Sequence, residues 1–160
     1  MTATPDFDDQ VRRRFAPLLR QAARGERWSW HARSRGRLAE ILVLDQFSRN
    51  IHRGTPAAFA QDAVTLVLAQ EAVADDALAV LPPDERGFVL MPFMHSESAA
   101  IHVEAECLFR EHAPARNLEF ELRQRAIIDR FGRYPHRNTI PGRASTGQEL
   151  AFLAEPDSSF

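Results

Sequence analysis

The sequence predicts an all-α fold of about seven helices in one domain, arranged as an antiparallel helical array. Three observations carry that expectation. Apolar residues recur at helical spacing through most of the chain. No run alternates apolar and polar residues as a half-buried strand would. Glycine, proline and capping residues separate the periodic segments by short connections, which favour antiparallel neighbours.

Residues 1–5 read as a disordered end and residues 6–160 as a single helical domain. Asp6 to Arg24 forms the first helix, with Phe7, Val11, Phe15, Leu18 and Leu19 on one stripe, a kink expected at Pro17 and a stop at Gly25. Trp28 and Trp30 lie in the connection and are expected to pack against the domain. The next helix occupies the stretch Leu38 to Gly54. Asp45 and Arg49 share a side with Leu38, Ile41 and Leu42, so they are expected to be half-buried, while Val43, Leu44 and Phe47 make the other sides apolar too. Gly54, Thr55 and Pro56 stop that helix and start another over Ala57 to Val73, with Phe59, Ala63, Leu66, Val67 and Val73 inward. A further helix enters at Asp84 and Glu85 and must bend or stop at Pro92, immediately before His95. Ser96 is the expected cap of Glu97 to His112, with Ile101, Ala105, Leu108 and Phe109 inside. Pro114 to Phe131 follows, using Leu118, Leu122, Ile127, Ile128 and Phe131, and Gly132 ends it. Ser145 with Gln148 has capping-box spacing and opens a short helix carrying Leu150, Phe152 and Leu153.

Composition sets limits on chemistry. A chain of 160 residues with 44% hydrophobic and 26% charged residues has an ordinary globular balance and supports a real core. A net charge of -2 gives no reason to expect nucleic acid or a membrane surface as partner. All 20 basic side chains are arginine, each a planar fork suited to carboxylate or phosphate, and the absence of lysine excludes a Schiff base or a P-loop lysine. The single Cys107 forms no internal disulfide, sits in a helical pattern as a small core residue, and, with no charged-then-apolar leader in the sequence, makes a reducing cytoplasm the expected location. No apolar run is long enough to span a bilayer. His95, His102 and Glu106 approach one another on a helical projection, but the spacing is neither HExxH nor a duplicated ExxH, and no metal or cofactor is expected. His102 and His112 are read as surface residues.

Three stretches carry polar residues that a purely structural helix would not need. The first is Asp45 to Arg53, the second Met91 to Glu97, and the third Arg130 to Asn138 continuing to Arg143. Each lies at a helix end, where polar groups converge without disrupting a core, and the three are expected to meet. Arg49, Arg53, Arg133 and Arg137, opposed by Asp45 and Glu97, would then give an excess of cation suited to a small anionic molecule or an acidic peptide terminus. Gln46, Asn50 and Asn138 would orient it. His95 or His136 would exchange a proton, with Glu97 orienting the ring, if the site is instead that of a hydrolase or transferase acting on a phosphorylated or carboxylated metabolite. The competing structural reading is an ion-pair network, Asp45 with Arg49 and Glu97 with a distant arginine, that ties helices together without a ligand.

These stretches also carry a resemblance. Leu44-Asp45-Gln46-Phe47 with Arg49-Asn50 and Arg53-Gly54, Met91-Pro92 with His95-Ser96-Glu97, and Arg130-Phe131-Gly132-Arg133 with Pro135-His136-Arg137-Asn138 resemble the signatures of the bacterial domain of unknown function nine-two-four family. The resemblance implies a fold similar to tetratricopeptide-repeat proteins and implies no activity. Two departures stand out. The Trp- and Phe-rich segment that usually precedes the stretch matching Phe7 to Phe15 is missing, which leaves either a truncated start or an absent piece of pocket wall. Ser48 stands where proline is more usual, which should relax the helix end around Arg49.

Overall fold

Thr4 opens the first helix. Its hydroxyl accepts the Phe7 N–H at 3.3 Å, and Pro5 takes the first helical position, where a missing N–H costs nothing. The computed structural model describes residues 4–156 and 158. Residues 1–3 of the expected loose end lie outside them, whereas Thr4 and Pro5 belong to the helix start. The helix, α1 (Pro5–Ala23), runs on through Pro17 and stops at Gly25, whose φ of +71° favours glycine.

A 3₁₀ turn at Trp28–Ala32 leads into α2 (Ser34–Leu42), a π turn (Val43–Phe47) and α3 (Ser48–Ile51), which together make one rod. The π turn has no signature in the apolar pattern. It falls on Asp45, and π turns inside α-helices are often found at functional positions. Beyond a 3₁₀ turn at Pro56–Phe59 come α4 (Asp62–Ala74), the single turn α5 (Ala77–Val80), α6 (Pro83–Met94), α7 (Ala99–His112), α8 (Ala115–Phe131), a 3₁₀ turn at Pro135–Arg137 and α9 (Gly147–Leu153). With the rod counted once and α5 set aside, seven helices and no strand stand among the described residues, so the fold is all-α.

Packing follows neighbours in sequence: α6 lies on α7 and α7 on α8, while α2 packs on both α4 and α6 and α1 covers the π turn and α3. The main core joins Ile41, Ala69, Leu90, Phe93, Ala105 and Phe109, and each of its large side chains contributes about 1.5–3 kcal/mol by leaving water. A second cluster (Val11, Leu19, Val43, Leu44, Ile51) fastens α1, helped by Arg12, whose Nε and Nη2 donate to the Ile51 carbonyl at 3.2 and 2.9 Å. A third gathers Ile127, Ile128 and Tyr134 with Phe131 and Phe152.

Several expectations are corrected by this packing. The Ala57 to Val73 helix is split, because Pro56 opens a 3₁₀ turn and α4 starts only at Asp62. Ala63, Val67, Leu122 and Leu150 face outward, whereas Thr65, Glu121 and Glu149 are buried. Each of these buried side chains has a polar partner: Thr65 donates to the Gln61 carbonyl at 2.6 Å, Glu121 meets His102 through Oε1 alone, and Glu149 takes Arg133. Trp28 is 74% exposed, and Cys107 is exposed rather than in the core. His102 is fully buried instead of on the surface, with Nδ1 2.7 Å from Glu121 and Nε2 2.9 Å from the Ser96 carbonyl. Ser98, not Ser96, precedes α7; the Ser96 hydroxyl accepts the Ser98 N–H, and Glu97 is left outside the helix. The capping box falls one residue later than expected, on Thr146 and Glu149.

Candidate functional site

The polar site is assembled from chain ends. Asp45 sits in the π turn and Arg49 one turn on, in α3. Pro92 lies inside α6, which ends two residues later, so His95 takes the C-cap position. Gly132, in the left-handed conformation at φ +68°, ends α8 and turns the chain into the segment that carries Arg137. Asp62 begins α4 and Phe59 ends the preceding 3₁₀ turn.

Asp45 is the buried hub, 1% exposed. Its Oδ1 lies 2.8 Å from His95 Nδ1 and 2.8 Å from Arg49 Nη1, and its Oδ2 accepts from Gln46 at 2.5 Å. Burial opposes the charge, but His95, Arg49 and Gln46 overcome it and hold the carboxyl well below the usual range. Arg49 reaches Asp62 at 2.9–3.0 Å, and Arg137 Nη1 donates to Asp62 and to the His95 carbonyl, both at 3.2 Å. The Arg137 guanidinium lies between the rings of Phe59 and Tyr134, 4.7 and 4.6 Å from their centroids. Its Nε is buried without a hydrogen-bond partner. Glu97 receives Arg143 in a two-point contact (2.6 and 2.8 Å) and the Tyr134 N–H at 2.8 Å. Arg137 itself is pulled below the normal arginine range by burial and by Arg49.

His95 and His136 are both held neutral. Burial and then the Arg49 charge lower His95, against the pull of Asp45; burial and then Arg137 lower His136 to about 4. The unfolded chain therefore takes up protons first as pH falls below about 6.5. Stability from these rings is fully present above that pH and is lost as pH drops through the folded values, with His136 alone contributing roughly 2–3 kcal/mol. The thermal midpoint is expected to fall steadily from pH 7 to 4.5 and His136→Asn to flatten the slope. An unchanged midpoint across that range would contradict these assignments.

His95, Glu97, Arg137, Arg143 and Asp62 line one open cleft of about 440 Å³, whose remaining wall is largely apolar, from Phe59, Leu66, Pro92 and Pro141. The three stretches thus meet through Asp45 and Arg49, His95 and Glu97, and Arg137. Other expected members go elsewhere. Asn50 and Arg53 turn to Asp8 of α1, at 2.8 Å for the amide and 2.5 and 3.0 Å for the guanidinium. Arg133 makes a two-point contact with Glu149 at 2.6 and 2.8 Å, which holds that acid down to about 2. Asn138 is buried against Ser145 at 3.1 Å. His136 stacks near Tyr134, with ring centroids 5.6 Å apart, and does not line the cleft. Glu97 bonds Arg143 rather than a histidine; Asp45 orients His95.

With Arg53 and Arg133 withdrawn, the expected excess of cation is absent: three guanidiniums (Arg49, Arg137, Arg143) face three carboxylates (Asp45, Asp62, Glu97). Asp62 and Phe59 were not anticipated. An aspartate in the first turn of a helix is ordinary, so nothing in the sequence marks it. Asp8 was legible, since it shares helical spacing with Val11 and Phe15 in the same manner as Asp45 with its own stripe. Among the described residues no group of three or more His, Cys, Asp or Glu is arranged to hold a metal ion, and no helix is long and apolar enough to cross a membrane.

The family model for bacterial proteins of unknown function, DUF924, matches residues 1–157. Among solved structures, a protein of unknown function from Agrobacterium tumefaciens is similar over 96% of this chain and 87% of its own, with a TM-score of 0.92 and 34% identity. No curated protein matches.

Proposed function

The chain belongs to the DUF924 family, and from that premise we propose that its cleft binds a small molecule carrying a single negative charge, through Arg137 and Arg143. One observation carries this reading: Arg137 and Arg143 line the same cleft, and Arg137 gives only Nη1 to protein acceptors. The balanced charges favour a monoanion such as a carboxylate over a phosphate dianion, which Asp45, Asp62 and Glu97 would repel. A small molecule is supported over a peptide terminus by the cleft's volume and by the commitment of Asn50 and Asn138 to Asp8 and Ser145. The apolar wall would hold the body of such a ligand.

A thermal-shift panel of small monocarboxylates, inorganic phosphate and acidic peptides tests this. At a hundredfold excess over Kd, binding adds about 2.7 kcal/mol, or about 5–10 °C for a chain of this length. Ala63→Phe, at an exposed position on the cleft wall outside the ion pairs, should abolish the shift while leaving the free midpoint nearly unchanged. If no anion moves the midpoint, the ion pairs are structural only; if the shift survives Ala63→Phe, the ligand sits elsewhere.

A further inference from the structure

The fixed ring of His95 adds chemistry to binding. Its Nδ1 is held by Asp45, whose other contacts, Arg49 and Gln46, keep the carboxylate ionised and stationary. A carboxylate accepts, so Nδ1 carries the ring proton and Nε2 keeps its lone pair. His95 lines the cleft together with Pro92 and Leu66, and its own carbonyl accepts from Arg137. We propose that His95 is a general base that activates water to hydrolyse a small ester bearing one carboxylate, with Asp45 as its positioning residue. This rests on the binding reading above and names its substrate class.

The step balances without a further reactant. Water attacks the ester carbonyl carbon while His95 Nε2 takes one of its protons. The tetrahedral oxyanion collapses, the bond to the leaving oxygen breaks, and that oxygen takes the proton from His95, giving an acid and an alcohol. Asp45, 2.8 Å from Nδ1, stabilises the transient imidazolium, while Arg137 and Arg143 on the same cleft hold the substrate carboxylate. The charged and titratable groups around the ring are Asp45 and Arg49 from the π turn and α3, Asp62 from α4, and Arg137 and His136 from the 3₁₀ turn after α8. Burial and the arginines keep His95 unprotonated at neutral pH, the state in which it accepts a proton.

The probe is the 4-nitrophenyl monoester of succinic acid, with 4-nitrophenyl acetate as the neutral control. Wild type should release nitrophenolate with saturation, and kcat/KM for the acetate should be at least about tenfold lower. His95→Gln should reduce kcat by about 100-fold or more with KM within about twofold. The wild-type kcat should rise through a single ionisation below about pH 6.5, a readout that does not depend on any variant folding. Turnover that His95→Gln leaves intact, or a kcat that falls as pH rises through neutrality, overturns the proposal. If the probe raises the thermal midpoint without being hydrolysed, catalysis fails and binding stands. If it does neither, both fail.

Discussion

Asp45→Ala is expected to destabilise the domain by about 3–5 kcal/mol, the usual consequence of removing one partner from a buried ion pair. The carboxylate lies almost wholly out of solvent and gathers His95, Arg49 and Gln46 within 2.5–2.8 Å. Without it Arg49 keeps Asp62 and the backbone carbonyl of residue 45, and the His95 Nδ1–H loses its acceptor. Asp45→Asn retains an oxygen for that N–H and should lose less, about 1–3 kcal/mol. Urea unfolding separates the two, through midpoints that shift at constant m. A loss below about 1 kcal/mol for the alanine variant would mean that the hub is not held as described.

Glu121→Ala is expected to cost about 3 kcal/mol, although it lies outside the cleft. His102 and Glu121 are both fully buried and joined at 2.7 Å. The Ser96 carbonyl only accepts, so His102 Nε2 donates to it; the remaining proton is shared between Nδ1 and Glu121, whose carboxyl burial pushes up. Glu121→Gln supplies an amide N–H to Nδ1 and should cost only about 1 kcal/mol. This pair supports the site at one remove. His102 Nε2 lies 3.2 Å from the Tyr134 hydroxyl, which donates to the Met94 carbonyl at 2.5 Å, and the Tyr134 ring carries Arg137. Glu121→Ala is therefore also expected to weaken any ligand held through Arg137, whereas Glu121→Gln should not. Equal losses from the two substitutions would contradict the proton-sharing arrangement.

The helices were legible because apolar period and punctuation agree along the chain: Gly25, Gly132 and Pro83 act where their backbone preferences say they should. Asp45 was legible as a carboxylate on an apolar stripe, and so was a pairing of Glu97 with some distant arginine, which the structure identifies as Arg143. The faces of α4 and α8 were not. Thr65, Glu121 and Gln124 are buried in place of Val67 and Leu122 because a hydrogen-bonded polar group packs as well as an aliphatic one, and hydropathy does not record the partner. The choice among arginines was equally hidden. Arg53 and Arg133 differ from Arg49 and Arg137 only in which acid lies nearby, and Asp8 and Glu149 are 45 and 16 residues away in sequence. The π turn at Asp45 has no compositional sign at all, since it changes hydrogen bonding within a helix and not the residues that form it.

We propose that His95 presents an unprotonated Nε2 to a cleft that accepts a monoanion. Long-range ¹H–¹⁵N imidazole spectra of the full chain at pH 7, recorded during titration with monomethyl succinate, test it directly. A neutral ring with its proton on Nδ1 is expected, with an Nε2 resonance that moves and saturates with ligand in the wild type and stays still in Ala63→Phe. A proton on Nε2, or an Nε2 resonance indifferent to the ligand, would contradict it.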